Sequence, residues 1–458
     1  MAHAARLYGA GELASARAQC EHILREQPAH FYALHLMATI AAHDARPEDC
    51  VRFASRALEL QPGHAEALSN RGAALRMLAR YEEALADYDR ALATTPGAPV
   101  LLSNRAVTLA ALGRHREAVQ AYDAALAREP GYSRARYNRA LARLMLGDYR
   151  GGWEDFEARW AGGESPSAPR PFSIPVFTTQ DWGHGHRIAL WAEQGLGDEL
   201  LFSTLVPELE GRGQDFVLEV DRRLMAAFAR AHPRWRLAAR GESDAAFAEC
   251  DRHFPLGSLP SLLRPSPESF AAQPRALLAA DGVRAAAFRQ TLGAPDGLRV
   301  GISWRTFQPA ARRYYELTKS APLEAFAPLQ AKSGQLLDLQ YGDTAAERAD
   351  FARKGGRLEH LEALDLRQDV DGTLAAIEAC DAVVTTSNVT AHLAGAIGKR
   401  TLLVYAGAAP PFHYWVANSA GRSRWYPSVE IVPGGEDGWP GAIARAGERL
   451  SSTPGEMR

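Results

Sequence analysis

The sequence predicts two architectures in one chain: an α-helical solenoid of paired helices over the first third, then an α/β region of two Rossmann-like halves with an intervening cleft. Three observations predict it. Pro28, Pro62, Pro96 and Pro130 recur every 34 residues, each closing a helical pattern, and that period belongs to stacked helix pairs. Residues 161–185 are rich in Gly, Pro and Ser and break the helical periodicity. Beyond them, short apolar runs alternate with helical patterns, as expected of a parallel sheet covered by helices.

In the solenoid, Leu68, Gly72, Leu75, Ala84, Tyr88, Ala91 and Pro96 occupy the positions of Leu102, Ala106, Leu109, Ala118, Tyr122, Ala125 and Pro130 one period later. Gly72 and Ala106, with Ala84 and Ala118, let the two helices of a unit approach closely. Proline then ends the second helix, because it lacks an N–H and clashes with the preceding turn. These residues resemble the tetratricopeptide repeat over about residues 1–160. Weaker copies flank the good ones, with Leu34, Met37, Ala57 and Pro62 before them and Gly147, Tyr149, Trp153, Phe156 and Trp160 after. The first copy begins mid-repeat, as a degenerate cap or as the remainder of a unit starting upstream. The aromatics read as inter-helix core, whereas stacked pairs form a concave face that takes a protein or peptide.

After the linker over 161–185, a first half is expected over 186–295 and a second over 296–458. The first has strands at 187–191 and 216–220 and helices near 198–210 and 222–231. A Pro-rich crossing (255–267) and a helical segment near 272–292 lead into the second, with strands at 299–304, 335–340, 381–385 and 401–405. A helix near 440–451 is expected to pack back across the junction.

Length and composition fit this plan. The chain has 458 residues, 47% of them apolar and 23% charged, enough for about three domains at roughly 150 residues each. A formal charge of −2 gives no global argument for nucleic acid or a membrane surface, so any anion site is local. Cys20, Cys50, Cys250 and Cys380 lie far apart with no metal-ligand spacing and read as buried thiols in a reducing compartment. The N-terminus lacks a signal peptide's apolar run, and no stretch approaches the roughly 18 apolar residues of a membrane span. The expected location is the cytoplasm.

Three motifs carry candidate chemistry. In Glu193-Gln194-Gly195-Leu196-Gly197-Asp198-Glu199, between strand and helix, the glycines allow a tight turn and leave room for a ligand. Asp198 is there either a helix cap or a cleft-facing general base that takes the proton of an attacking hydroxyl. The second motif runs from Thr385 through Asn388, Val389, Thr390 and His392 to Gly398. With Asn388 as cap, the N–H groups of Val389, Thr390 and Ala391 would be free for an anion, with His392 one turn in. The third joins Ser303 and Arg305, at a strand end, to Arg312, Arg313 and Lys319-Ser320-Ala321-Pro322. Arg305 and Lys319 would neutralise a diphosphate leaving group.

Residues 186–451 resemble the C-terminal region of bacterial tetratricopeptide-repeat proteins with a glycosyltransferase-like domain, related to the ADP-heptose:lipopolysaccharide heptosyltransferases. The resemblance rests on the Gln194-to-Asp198 turn, Leu256-Gly257-Ser258-Leu259-Pro260, Gly301 to Arg305, Leu339-Gln340-Tyr341-Gly342-Asp343, His392 to Gly398 and Trp425-Tyr426-Pro427. It implies a GT-B fold, with the acceptor on the first half and a nucleotide-sugar donor on the second, and inversion without metal or cofactor. Asp198 matches the family's catalytic aspartate. Lys319 with Pro322 matches its phosphate-contacting K-x-x-P lysine, and His392 its helix-start histidine. Gly197, Ser303, Arg305, Asn388, Val389 and Thr390 complete the donor-binding set. Two departures lie near the donor site: Ser387 stands where the family usually has aspartate, and Phe412-His413-Tyr414-Trp415 where relatives commonly have Trp-Arg-Trp.

Metal readings fare poorly. Asp87-Tyr88-Asp89 falls inside a repeat helix, Asp369-Val370-Asp371 precedes a helix it can cap, and His184-Gly185-His186 has no further ligands. The expected activity is sugar transfer to a protein acceptor recruited by the repeats. Similar repeat-bearing transferases modify proteins, so flagellin-like or other secreted-appendage subunits are the kind of acceptor the resemblance implies. Two alternatives stay open: a non-catalytic interaction protein with a degenerate transferase-like domain, and transfer to a lipopolysaccharide-type glycan.

Overall fold

In a computed structural model of the chain, residues 1–161, 169–306, 319–407 and 410–451 are described. They divide into two compact units, Met1–Leu146 and the residues from Gly147 on.

The first unit is a stack of helices: α1 (Ala2–Gly9), α2 (Leu13–Glu26), α3 (Phe31–His43), α4 (Pro47–Leu60), α5 (Ala65–Met77), α6 (Tyr81–Thr94), α7 (Pro99–Ala111), α8 (His115–Arg128) and α9 (Ser133–Met145). Phe31, Ala65, Pro99 and Ser133 begin helices at steps of 34 residues, matching the proline ladder. Each second helix stops two residues before its proline. The residue ahead of the ring is pushed out of the α region, and Gln27, Gln61, Thr95 and Glu129 all adopt φ between −133° and −136° with ψ between 70° and 84°. The small-residue expectation also has its cause: a Cβ on Gly72 would lie 2.9 Å from the Tyr88 ring. Arg71, Arg105 and Arg139, again 34 apart, each reach back sixteen residues, to Ser55, Asp89 and Asp123.

The second unit opens with the helix Tyr149–Phe156. It continues the 34-residue spacing from His115, yet its aromatics pack within the α/β unit. Trp153 Nε1 donates to Arg264 O at 3.0 Å, Tyr149 lies 5.0 Å from Phe270 between ring centroids, and Phe156 meets Phe202. Just beyond, wholly enclosed Arg159 forks onto Glu193 at 2.9 and 3.0 Å and donates to Ser258 Oγ at 2.8 Å. The unit boundary at Leu146 therefore falls inside the 1–160 span expected for the repeats.

Two parallel sheets follow. The first has β1 (Arg187–Trp191), β2 (Asp215–Val220), β3 (Arg236–Ala239) and β4 (Arg252–Pro255), in the order β3-β2-β1-β4. The second has β5 (Arg299–Ser303), β6 (Gln335–Asp338), β7 (Ala382–Thr385), β8 (Thr401–Tyr405) and β9 (Val429–Pro433), in the order β6-β5-β7-β8-β9. Every strand pair is parallel, as the alternating pattern predicts. Strands β3, β4 and β9 were not expected, and the helix expected over 198–210 is two, Leu196–Ser203 and Val206–Gly211, broken near Pro207. The last helix, Gly438–Ser451, lies on the second sheet's core, with Ile443 and Leu450 among Leu402 and Val432, not across a junction. Strand order reverses beside β1 in the first sheet and between β5 and β7 in the second. Such switch points leave a crevice at the strand C-termini.

Candidate functional site

All three sequence motifs start at those strand ends. After β1 the chain turns through Gly195, which caps the helix Leu196–Ser203. Asp198, in that helix's first turn, accepts hydrogen bonds from the Gly195 N–H and its own, as an N3 side chain does in a capping box. The capping role is thus met, and it leaves the carboxyl half-buried beside a cation. Burial pushes Asp198 up to about 6, opposed by the charge of Lys319 and by those N–H groups.

Lys319 is itself buried. The Ala321 N–H donates to Trp304 O at 2.8 Å, which pins its segment to the end of β5, and Nζ sits 3.5 Å from the centroid of the Phe412 ring, a cation–π distance. His392, on the helix Val389–Ala396, is enclosed by Trp415, Tyr414 and Tyr426, with centroids 5.0, 5.3 and 5.7 Å away. Its Nδ1 lies 3.2 Å from Tyr426 Oη. Burial, and then the charge of Lys319, hold it down at about 3, so the ring is neutral at physiological pH. A Cβ on Gly197 would lie 2.9 Å from His392 Cδ2. The space that Gly197 was expected to leave for a ligand is filled by this ring.

Asp198, Gly197, Lys319 and His392 therefore meet, from three segments of chain. The other expected residues form a second group. Ser303, fully buried, accepts from Asn388 Nδ2 at 2.8 Å and Thr390 Oγ1 at 3.3 Å and donates to Gln340 Oε1 at 3.1 Å. Gln340 Oε1 also takes the N–H groups of Trp304 and Arg305, at 2.9 and 2.8 Å. Arg305 is ion-paired to Glu347 at 3.0 Å and donates to Asp343 O. The anion site expected of three free N–H groups is smaller. Asn388 caps its own helix by accepting the Thr390 N–H at 2.9 Å, and the Ala391 N–H goes to Asn388 O; only that of Val389 lacks a partner among the described residues. Arg312 and Arg313 lie outside those residues.

The two departures from the family pattern touch each other, for Trp415 Nε1 donates to Ser387 Oγ at 3.0 Å. Sequence reasoning also missed Glu199, whose buried carboxyl accepts the Asp221 N–H at 2.6 Å and is pushed up to about 8 by burial. Asp369 does cap its helix, accepting the Gly372 N–H. Among the described residues, no group of three His, Cys, Asp or Glu side chains could hold a metal, and no helix is long and apolar enough to cross a membrane.

Residues 65–98 and 104–169 match tetratricopeptide-repeat families. The first unit is an array of tetratricopeptide repeats. These repeats are followed by an α/β region of parallel sheets. Over 301 residues the chain is 33% identical to Protein FlbA of Caulobacter vibrioides, a match taking in 61% of this chain and 48% of FlbA. The chain thus spans about half the length of that relative. Among solved structures, MamA is 20% identical with a TM-score of 0.33, covering 35% of this chain and 94% of its own. PilW, a type IV pilus biogenesis factor, is 21% identical with a TM-score of 0.34, covering 46% and 83%. Pseudomonas aeruginosa PilF is 17% identical with a TM-score of 0.32, covering 35% and 73%.

Proposed function

We propose that the α/β region is a metal-independent, inverting glycosyltransferase of GT-B type, and that the repeats bring it a protein acceptor. The observation that carries this reading is the meeting of Asp198, Lys319 and His392 at strand switch points, with the charge of Lys319 acting on both of the others. Its mechanism follows from the site. Asp198, ionised above about pH 6, takes the proton of an acceptor hydroxyl as that oxygen attacks the sugar's anomeric carbon. The bond to the nucleoside diphosphate breaks on the opposite face, and Lys319, itself buried, meets the departing phosphate charge. His392, neutral, is a hydrogen-bonding group and not an acid. The Val389 N–H adds a backbone donor at a helix start.

The test is calorimetric titration with nucleoside diphosphates, followed by transfer assays. His392→Ala and Lys319→Ala are expected to weaken diphosphate binding without unfolding the protein. Asp198→Asn is expected to keep that binding and lose transfer. Unchanged affinity in both of the first two variants would sink the donor site.

A second reading, a non-catalytic interaction protein, is favoured by Arg305, whose guanidinium is committed to Glu347 and Asp343. Failure of every nucleoside diphosphate and nucleotide sugar to shift the thermal unfolding midpoint would select it.

A further inference from the structure

We propose that Tyr426 is a positioning residue: its phenol donates to His392 Nδ1, fixing the imidazole with its proton on Nε2 and presenting that N–H at the Gly195–Asp198 turn. The ligand class follows from the transferase reading, on which this inference rests for its ligand alone: a diphosphate oxygen, or a sugar hydroxyl held against it.

The direction of the hydrogen bond follows from what surrounds the phenol. Tyr426 is 1% exposed, and His392 Nδ1, at 3.2 Å, is its hydroxyl's one hydrogen-bond partner among the described residues. If Nδ1–H donated instead, the phenol proton would be buried with no acceptor, which is the costlier arrangement. A neutral imidazole carries one N–H, so a bond accepted at Nδ1 places the proton on Nε2. Nε2 lies beside the Gly195–Asp198 turn, 3.3 Å from where a Cβ on Gly197 would be. It has no partner among the described residues.

The segment bearing Tyr426 is built to hold still. Ser423 Oγ accepts the N–H groups of Trp425 and Tyr426, at 3.2 and 3.3 Å. Tyr426 O accepts from Val429, and Trp425 O from Gln273 Nε2 at 2.9 Å. The tyrosine ring rests on Gly395, where a Cβ would lie 2.6 Å from it. Burial, and then the charge of Asp198, keep the phenol protonated by raising it well above its ordinary value.

Long-range 1H–15N correlation of the imidazoles in the 15N-labelled full chain, at neutral pH, tests this. His392 is expected to show a protonated Nε2 and a bare Nδ1. Tyr426→Phe keeps the ring and removes the O–H, and it is expected to give a mixture of tautomers. Its affinity for inorganic pyrophosphate should fall about tenfold, the worth of one hydrogen bond. A protonated Nδ1 in the wild type, or an unchanged tautomer in Tyr426→Phe, overturns the proposal. If Tyr426→Phe does not fold, the wild-type spectrum decides. A wild type with protonated Nε2 that binds no pyrophosphate overturns the donor site while leaving the role of Tyr426 standing.

Discussion

Replacing Gly197 with alanine sets two effects of opposite sign against each other. Residue 197 is helical, and alanine in a helix is favoured over glycine by up to about 1 kcal/mol, less in the first turn. Against this, the new methyl would lie 2.9 Å from His392 Cδ2, 3.3 Å from Nε2 and 3.4 Å from Cγ, where carbon contacts settle at about 3.5–4.0 Å. The ring must retreat by roughly 0.6 Å or more to reach that range. Tyr426 at 3.2 Å and the Trp415 ring at 5.0 Å stand behind it. Overpacking of this kind costs about 1–3 kcal/mol, so the net expectation is a loss of about 1–2 kcal/mol. In a His392→Ala background the obstacle is gone and only propensity remains, so the same change should be neutral or stabilising. Urea titration of the four proteins of this double-mutant cycle should give a coupling of about 2 kcal/mol. If Gly197→Ala raises the urea midpoint equally in both backgrounds, the close approach of the Gly195–Asp198 turn to His392 is refuted.

Asp198→Asn should lower transfer by about 10²–10⁴-fold, the usual range for a general base; full activity would return Asp198 to capping alone. The wild-type rate should rise with pH through about 6, where Asp198 ionises, and a pH–rate profile flat across that region would remove it as the base. Its folded value lies above the unfolded one of about 3.9, so this group's contribution to stability falls as pH rises from about 4 to 6. His392 and His413, held at about 3, lie below the unfolded value of about 6.5 and act oppositely, losing stability as pH falls below it. Asp198→Asn should therefore gain more stability relative to wild type at pH 7 than at pH 4, by urea titration. A truncation beginning at Gly147 should fold. One beginning at Pro171 strips Arg159 from Glu193, should lose about 3–5 kcal/mol as breaking a buried pair does, and would be ruled harmless by equal urea midpoints.

The repeats were legible because their punctuation is local: a proline disturbs the residue before it wherever it occurs. Strands β1, β2, β5, β7 and β8 were legible as apolar runs. Arg236-Leu237-Ala238-Ala239 and Arg252-His253-Phe254-Pro255 are short, and mix polar, small and proline residues, so sheet membership is given to them by neighbours distant in sequence. The site divides the same way. Asp198 and His392 sit at strand-to-helix turns that spacing reveals. The capture of Arg305 by Glu347, of the Trp304 and Arg305 amides by Gln340 and of Lys319 by Phe412 joins residues 35 to 93 positions apart. The reason Gly197 must be glycine is a ring nearly two hundred residues away.

The buried pair of Arg159 and Glu193 bears on how such a chain can change its length. An exchange of segments made in the Gly- and Pro-rich stretch near residue 170 would part the two charges and leave Glu193 alone in the interior. An exchange made anywhere before Gly147, in whole periods of 34 residues, would leave that pair, the Trp153 anchor and the Asp198 turn intact. Whole repeats added or removed upstream thus leave these contacts of the α/β unit in place, while the unit's own first helix, Tyr149–Phe156, keeps the repeat's register.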